Sequence, residues 1–180
     1  RVHGKVGLVI DGHSVRVDKL IREAKLSTKG FNRLRDAIDV ELRGTLKEAY
    51  NVSKRSLLDL VNDQVSFTYQ KFDNTMSKVW RTQKPQRRIA EEIVLEKPLF
   101  KDKTLAAGWS GIGVSERKRL EQTIRRGMAE GLSPDEIALN VRRGNVHKIT
   151  RNQSRALVTT GITSVTAQAD HAVYEANEKA

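Results

Sequence analysis

The sequence predicts a mainly α-helical protein: long helices or a helical hairpin, a C-terminal three-helix unit, and a small N-terminal β-hairpin. Three observations predict it. Apolar residues recur at helical spacing from Phe31 onward, capped helix starts punctuate the last third, and β-branched residues flank an Asp-Gly turn in the N-terminal segment.

In the first segment, 1–30, Val6-Gly7-Leu8-Val9-Ile10 and Val15-Arg16-Val17 flank Asp11-Gly12-His13-Ser14. Asp-Gly supplies a tight turn between β-branched runs, the pattern of a hairpin. An isolated hairpin is marginal in water, so it must pack on another element. Residues 18–26 read as a short basic helix. The second segment, 31–82, carries two helical stripes: Phe31, Leu34, Ile38, Leu42, Leu46 and Ala49, then Leu57, Val61, Val65, Tyr69, Phe72, Met76 and Trp80. One continuous helix would span roughly 75 Å at about 1.5 Å per residue; a bend or hairpin near Asn51-Val52-Ser53 is the alternative. Either way the stripe needs a partner, from the C-terminal helices or another subunit.

Residues 83–114 read as an irregular connector, because Pro85, Pro98, Gly108, Gly111 and Gly113 surround a segment from Ile89 to Leu95 that suits helix or short strand. Trp109 is either a docking aromatic or a loop residue folded over the core. In 115–180, Leu120, Ile124 and Met128 repeat at helical spacing until Gly131. Ser133-Pro134-Asp135-Glu136 then places an N-cap hydroxyl, a first-turn proline and a capping-box glutamate ahead of Ile137 and Val141, with Gly144 following. Thr150-Arg151-Asn152-Gln153 repeats the box before a long helix of small residues.

The chain holds 33 basic and 22 acidic residues, a net +11. Within 115–155 there are ten basic and five acidic side chains, against one and three in 156–180, so the cations concentrate on the start of this unit. A polyanionic partner and a solvated basic surface both fit. The absence of cysteine excludes disulfides and thiolate metal sites. No apolar run approaches the roughly 20 residues that span a bilayer. Arg1 at one end and an unstopped helical pattern reaching Ala180 at the other lead us to expect a fragment of a longer polypeptide.

Catalytic signatures are missing. His3, His13, His147 and His171 are far apart in sequence and none stands at metal-ligand spacing from another, so neither a metal nor a cofactor is expected. Gly108-Trp109-Ser110-Gly111-Ile112-Gly113 lacks the lysine-serine ending of a phosphate loop, and Ser110 lacks a nucleophile-elbow frame. Met128 to Arg143 superficially suggests a DNA-reading helix-turn-helix. Asp135 and Glu136 would meet phosphate repulsively there, which favours a scaffold hairpin. Lys118, Arg119, Arg125, Arg126, Arg142, Arg143, Lys148, Arg151 and Arg155 remain candidates for sequence-independent contact with a phosphate backbone.

The run Ile124-Arg125-Arg126-Gly127-Met128-Ala129-Glu130-Gly131-Leu132-Ser133-Pro134-Asp135-Glu136-Ile137-Ala138, followed by Ile149-Thr150-Arg151-Asn152-Gln153-Ser154-Arg155-Ala156-Leu157-Val158-Thr159-Thr160, resembles the phage head morphogenesis family, the Mu F-like minor capsid proteins of tailed bacteriophages. The likeness covers about the last third of the chain. Gly161 stands where family members often carry an acidic residue. The resemblance implies a non-enzymatic minor virion protein, made in the host cytoplasm and placed near the portal. It would be packaged with the genome and would assist head assembly or DNA delivery. Its implied partners are portal or other capsid proteins and nonspecific DNA, in an oligomeric or assembled state. Two other readings remain open: a free-standing nucleic-acid-binding helical module, and the non-catalytic half of a longer enzyme.

Overall fold

A computed structural model describes residues 2–75, 82–100 and 102–178. The helices are α1 (Val2–Arg22), α2 (Thr28–Thr75), α3 (Ile89–Glu91, continuing as a π-helical turn over Glu92–Glu96), α4 (Leu105–Ala129), α5 (Pro134–Arg143) and α6 (Val146–Asn177). No strand occurs among the described residues, so the mainly helical expectation holds.

The expected N-terminal hairpin is replaced by α1. Val6, Ile10, His13, Val17 and Ile21 are buried at three- and four-residue spacing along it, so burial of one helical face overrides the local preference of β-branched residues and the Asp11-Gly12 turn signal. Lys19 and Arg22 in its last turn complement the helix dipole. Between α1 and α2 the chain turns sharply. The Ser27 hydroxyl accepts the Gly30 N–H at 3.0 Å, capping α2. Gly30 is required there, because a Cβ would stand 1.8 Å from the Lys25 carbonyl oxygen.

Of the two alternatives left open near residue 52, the continuous helix is the one observed, since α2 runs unbroken from Thr28 to Thr75. Phe31, Leu34, Ile38, Leu42, Ala49, Leu57 and Val61 are buried along its stripe; Met76 and Trp80 lie outside the described residues. The segment expected to be irregular is partly helical: Ile89 to Leu95 is helix rather than strand, and α4 begins at Leu105, enclosing Gly108, Gly111 and Gly113. Trp109 is therefore a helix residue, 2% exposed, and cannot dock a partner from a loop.

The expected stop at Gly131 holds. This residue takes a left-handed backbone with φ 74°, and the Leu132 N–H returns to the Gly127 carbonyl at 2.9 Å. Ser133 caps α5 in a complete capping box with Glu136, which stabilises the start by about 1 kcal/mol. The second expected box, at Thr150, is absent because α6 has already begun at Val146. Asn145, with φ 55°, reverses the chain immediately after Gly144, and Thr150 is buried within the helix, donating to the Val146 carbonyl at 3.3 Å.

The chain divides into two compact units. The first comprises Arg1–Val52 and Trp109–Ala156, the second Ser53–Gly108 and Leu157–Ala180. In the first, Val17 and Ile21 of α1, Phe31, Leu34 and Ile38 of α2, Leu120 and Ile124 of α4, Ile137, Ala138 and Val141 of α5, and Val146 of α6 form one core. Asp18 with Arg142, and Arg22 with Asp135, tie α1 antiparallel to α5. Asp39 with Arg117, and Phe31 under Arg125, set α2 antiparallel to α4.

In the second unit, the later parts of α2 and α6 run parallel. Leu57 stands beside Gly161, Thr68 donates to Asp170, and Phe72 meets Tyr174 edge-on, so the pairing advances in the same direction along both helices. Gly161 and the buried Val165, Ala169 and Val173 keep that face of α6 small or smooth, which permits close approach.

Candidate functional site

Two features of the first unit carry chemistry. One is a buried cluster that links four helices. On α1 the buried face places His13 in register with Ile10 and Val17; on α4 Glu116 stands one turn before Leu120; on α6 His147 follows Val146 in the first turn. His13 and Glu116 are 0% exposed. The Glu116 Oε1 lies 3.4 Å from His13 Nε2 and 3.1 Å from His147 Nδ1. The two imidazole rings are perpendicular, with centroids 6.1 Å apart.

Behind His13, α2 supplies Glu41 and Thr45, with Glu41 Oε1 3.4 Å and Thr45 Oγ1 3.2 Å from His13 Nδ1. The Thr45 hydroxyl donates to Glu41 at 3.0 Å and Arg16 Nε donates to the same carboxylate at 2.6 Å. Thr45 has one proton. Once it is given to Glu41, His13 Nδ1 must be the donor on that side.

Burial acts to raise the Glu116 carboxyl, but the hydrogen bonds and charge of His13 and His147 outweigh it and hold the group at about 2. Glu41 is likewise lowered: burial opposes ionisation, and the hydrogen bonds from Arg16, Thr45 and His13 overcome it. A carboxylate is thus kept ionised in a dry interior, facing two histidines.

The second feature is a solvent-open cleft of about 580 Å³ lined by Arg119, Gln122, Thr123, Arg126, Gly127, Glu130, Asn140, Arg143, Gly144 and Val146. Three of the nine basic residues expected to contact phosphate meet here, Arg119, Arg126 and Arg143. Arg119 is positioned by Thr150 at 3.1 Å and Gln153 at 3.3 Å. Arg126 and Arg143 are exposed and, among the described residues, have no acidic partner.

The other six are dispersed within the unit. Arg142 pairs with Asp18 at 2.6 Å, Arg151 with Asp11 at 3.3 Å, and Arg125 stacks 4.9 Å from the Phe31 ring centre. Lys118, Lys148 and Arg155 are exposed. The hairpin of α4 and α5 is occupied by packing: Ile137, Ala138 and Val141 are buried, and α1 engages both Asp135 and Arg142.

The histidine cluster escaped sequence spacing because its members come from helices far apart in the chain. A signal was nevertheless present. His13 and Glu116 occupy apolar register positions, where a polar side chain must find a buried partner. No protein-family model matches the chain, and neither a curated protein nor a solved structure does.

Proposed function

We propose that this chain is a structural, non-enzymatic minor virion protein of a tailed bacteriophage, associated with the portal or the head interior, which contacts DNA without reading its sequence and assists head assembly or DNA delivery. The resemblance of residues 124–138 and 149–160 to the head morphogenesis family supports the reading. The observation that carries its DNA-contacting part is the cleft, where Arg119, Arg126 and Arg143 converge and, among the described residues, Arg126 and Arg143 have no acidic partner. Planar guanidinium groups around an open groove suit phosphate oxygens. Asn140 is the one amide of α5 beside the cleft, too little for a base-reading constellation. Exposed apolar side chains, Phe67 and Tyr174 in the second unit and Val40 and Val114 in the first, offer contact area to portal or capsid subunits.

Fluorescence anisotropy with labelled duplexes tests the cleft. Binding should be weak and indifferent to sequence, and each phosphate contact should add about −0.9 to the slope of log K against log salt. Arg126→Gln with Arg143→Gln should flatten that slope by roughly 2, whereas Arg142→Gln, whose guanidinium is held by Asp18, should change it less. Absence of binding at low salt removes the DNA role; a strong preference for one duplex revives helix-turn-helix recognition.

A further inference from the structure

The geometry points to a metal site in the first unit: we infer that His13 Nε2, Glu116 and His147 Nδ1 bind a divalent transition ion, zinc by preference, with a fourth position left to solvent, and that Glu41 and Thr45 orient His13 from behind. Three observations converge. The ligand atoms lie within 4.8 Å of one another. The two nitrogen-to-Oε1 distances, 3.4 and 3.1 Å, match the edge of about 3.3 Å that follows from a tetrahedron of ligands about 2.0–2.1 Å from zinc. His13 Nε2 and Glu116 Oε2 are buried without a hydrogen-bond partner.

In the tautomer in which Nδ1 of His13 donates backward to Glu41, its Nε2 presents a lone pair to the Glu116 carboxylate. A metal ion placed between two such lone pairs would satisfy both. A carboxylate–histidine arrangement of this kind also fixes the tautomer in which Nε2 ligates a metal. Two imidazoles and one carboxylate form a donor set suited to zinc. Entry is available, because His147, 13% exposed at its side chain, lines a cleft of about 530 Å³ together with Ser14, Asp18 and Arg142. The ion would clamp α1, α4 and α6 within the unit.

Untagged protein, stripped with a chelator and titrated with zinc chloride, tests this by calorimetry and thermal unfolding, with cobalt(II) as a spectroscopic probe. One zinc per chain, a rise in Tm of about 5 °C or more at saturating zinc, and the visible absorption of tetrahedral cobalt are expected. His147→Gln should abolish binding, and because its side chain is the least buried of the three the variant should still fold. Glu41→Gln leaves all ligands in place and should weaken zinc binding about 10- to 100-fold. His171→Gln, removing a histidine that is 71% exposed at its side chain in the second unit, should leave it unchanged. Failure of stripped, folded protein to bind zinc, or equal binding by His147→Gln, overturns the assignment.

Discussion

Leu57→Asp is expected to abolish cooperative folding of the second unit. Leu57 is fully buried beside Gly161, where α2 and α6 run together. Removing its side chain alone costs about 2–5 kcal/mol. A carboxylate in its place adds several more, the cost of desolvating a charge in a buried apolar position. Together these reach the roughly 5–15 kcal/mol that holds a domain folded. Phe67→Asp on the same helix is the control: Phe67 is 61% exposed, so this change should stay within about 0.5 kcal/mol. Urea unfolding followed by circular dichroism, with limited proteolysis to locate the loss, distinguishes the two. If Leu57→Asp unfolds like the parent, the stripe does not form the core of this unit.

Glu116→Gln should cost about 3 kcal/mol in chelator-treated protein near neutral pH. The amide keeps the volume but loses the charge that faces both histidines, and hydrogen bonds to a charged group contribute about 1.5–3 kcal/mol each. Linkage gives the same size from another direction. A carboxyl at about 2 when folded, against 4.5 in its ordinary state, represents roughly 3 kcal/mol at about 1.36 kcal/mol per unit. Because the folded value is the lower one, the contribution is complete above pH 4.5 and is lost as the pH falls from there toward 2. The parent should therefore lose stability across that window more steeply than Glu116→Gln. Superimposable acid profiles from the two proteins would show that Glu116 is not ionised in the folded state.

The parts of the fold legible in the sequence are those governed by local chemistry. The Ser133 capping box and the left-handed Gly131 follow from hydroxyl geometry and the absence of a Cβ, and both appear where the residues lie. The stripe from Phe31 to Val61 was legible because helical spacing repeats long enough to outweigh any single residue. The N-terminal segment was misread because Asp11-Gly12 and its β-branched neighbours have strong local preferences, while the face that decides the outcome depends on partners far along the chain. Reading His13 as part of the series Val6, Ile10, Val17 and Ile21 would have shown a helix. The same long-range dependence hid the buried cluster, whose residues meet only when α1, α4 and α6 are packed. The nine cations were legible as a basic region, but not their division into the cleft trio and those held by Asp18, Asp11 and Phe31.

Placement in a virion is tested most directly by quantitative mass spectrometry of purified, nuclease-treated tailed particles released from cells that express this gene. The proposed role predicts peptides of this chain in the particles at a fixed, low ratio to the portal protein. Abundance of the chain in the lysate together with its absence from both mature particles and assembled heads would contradict it.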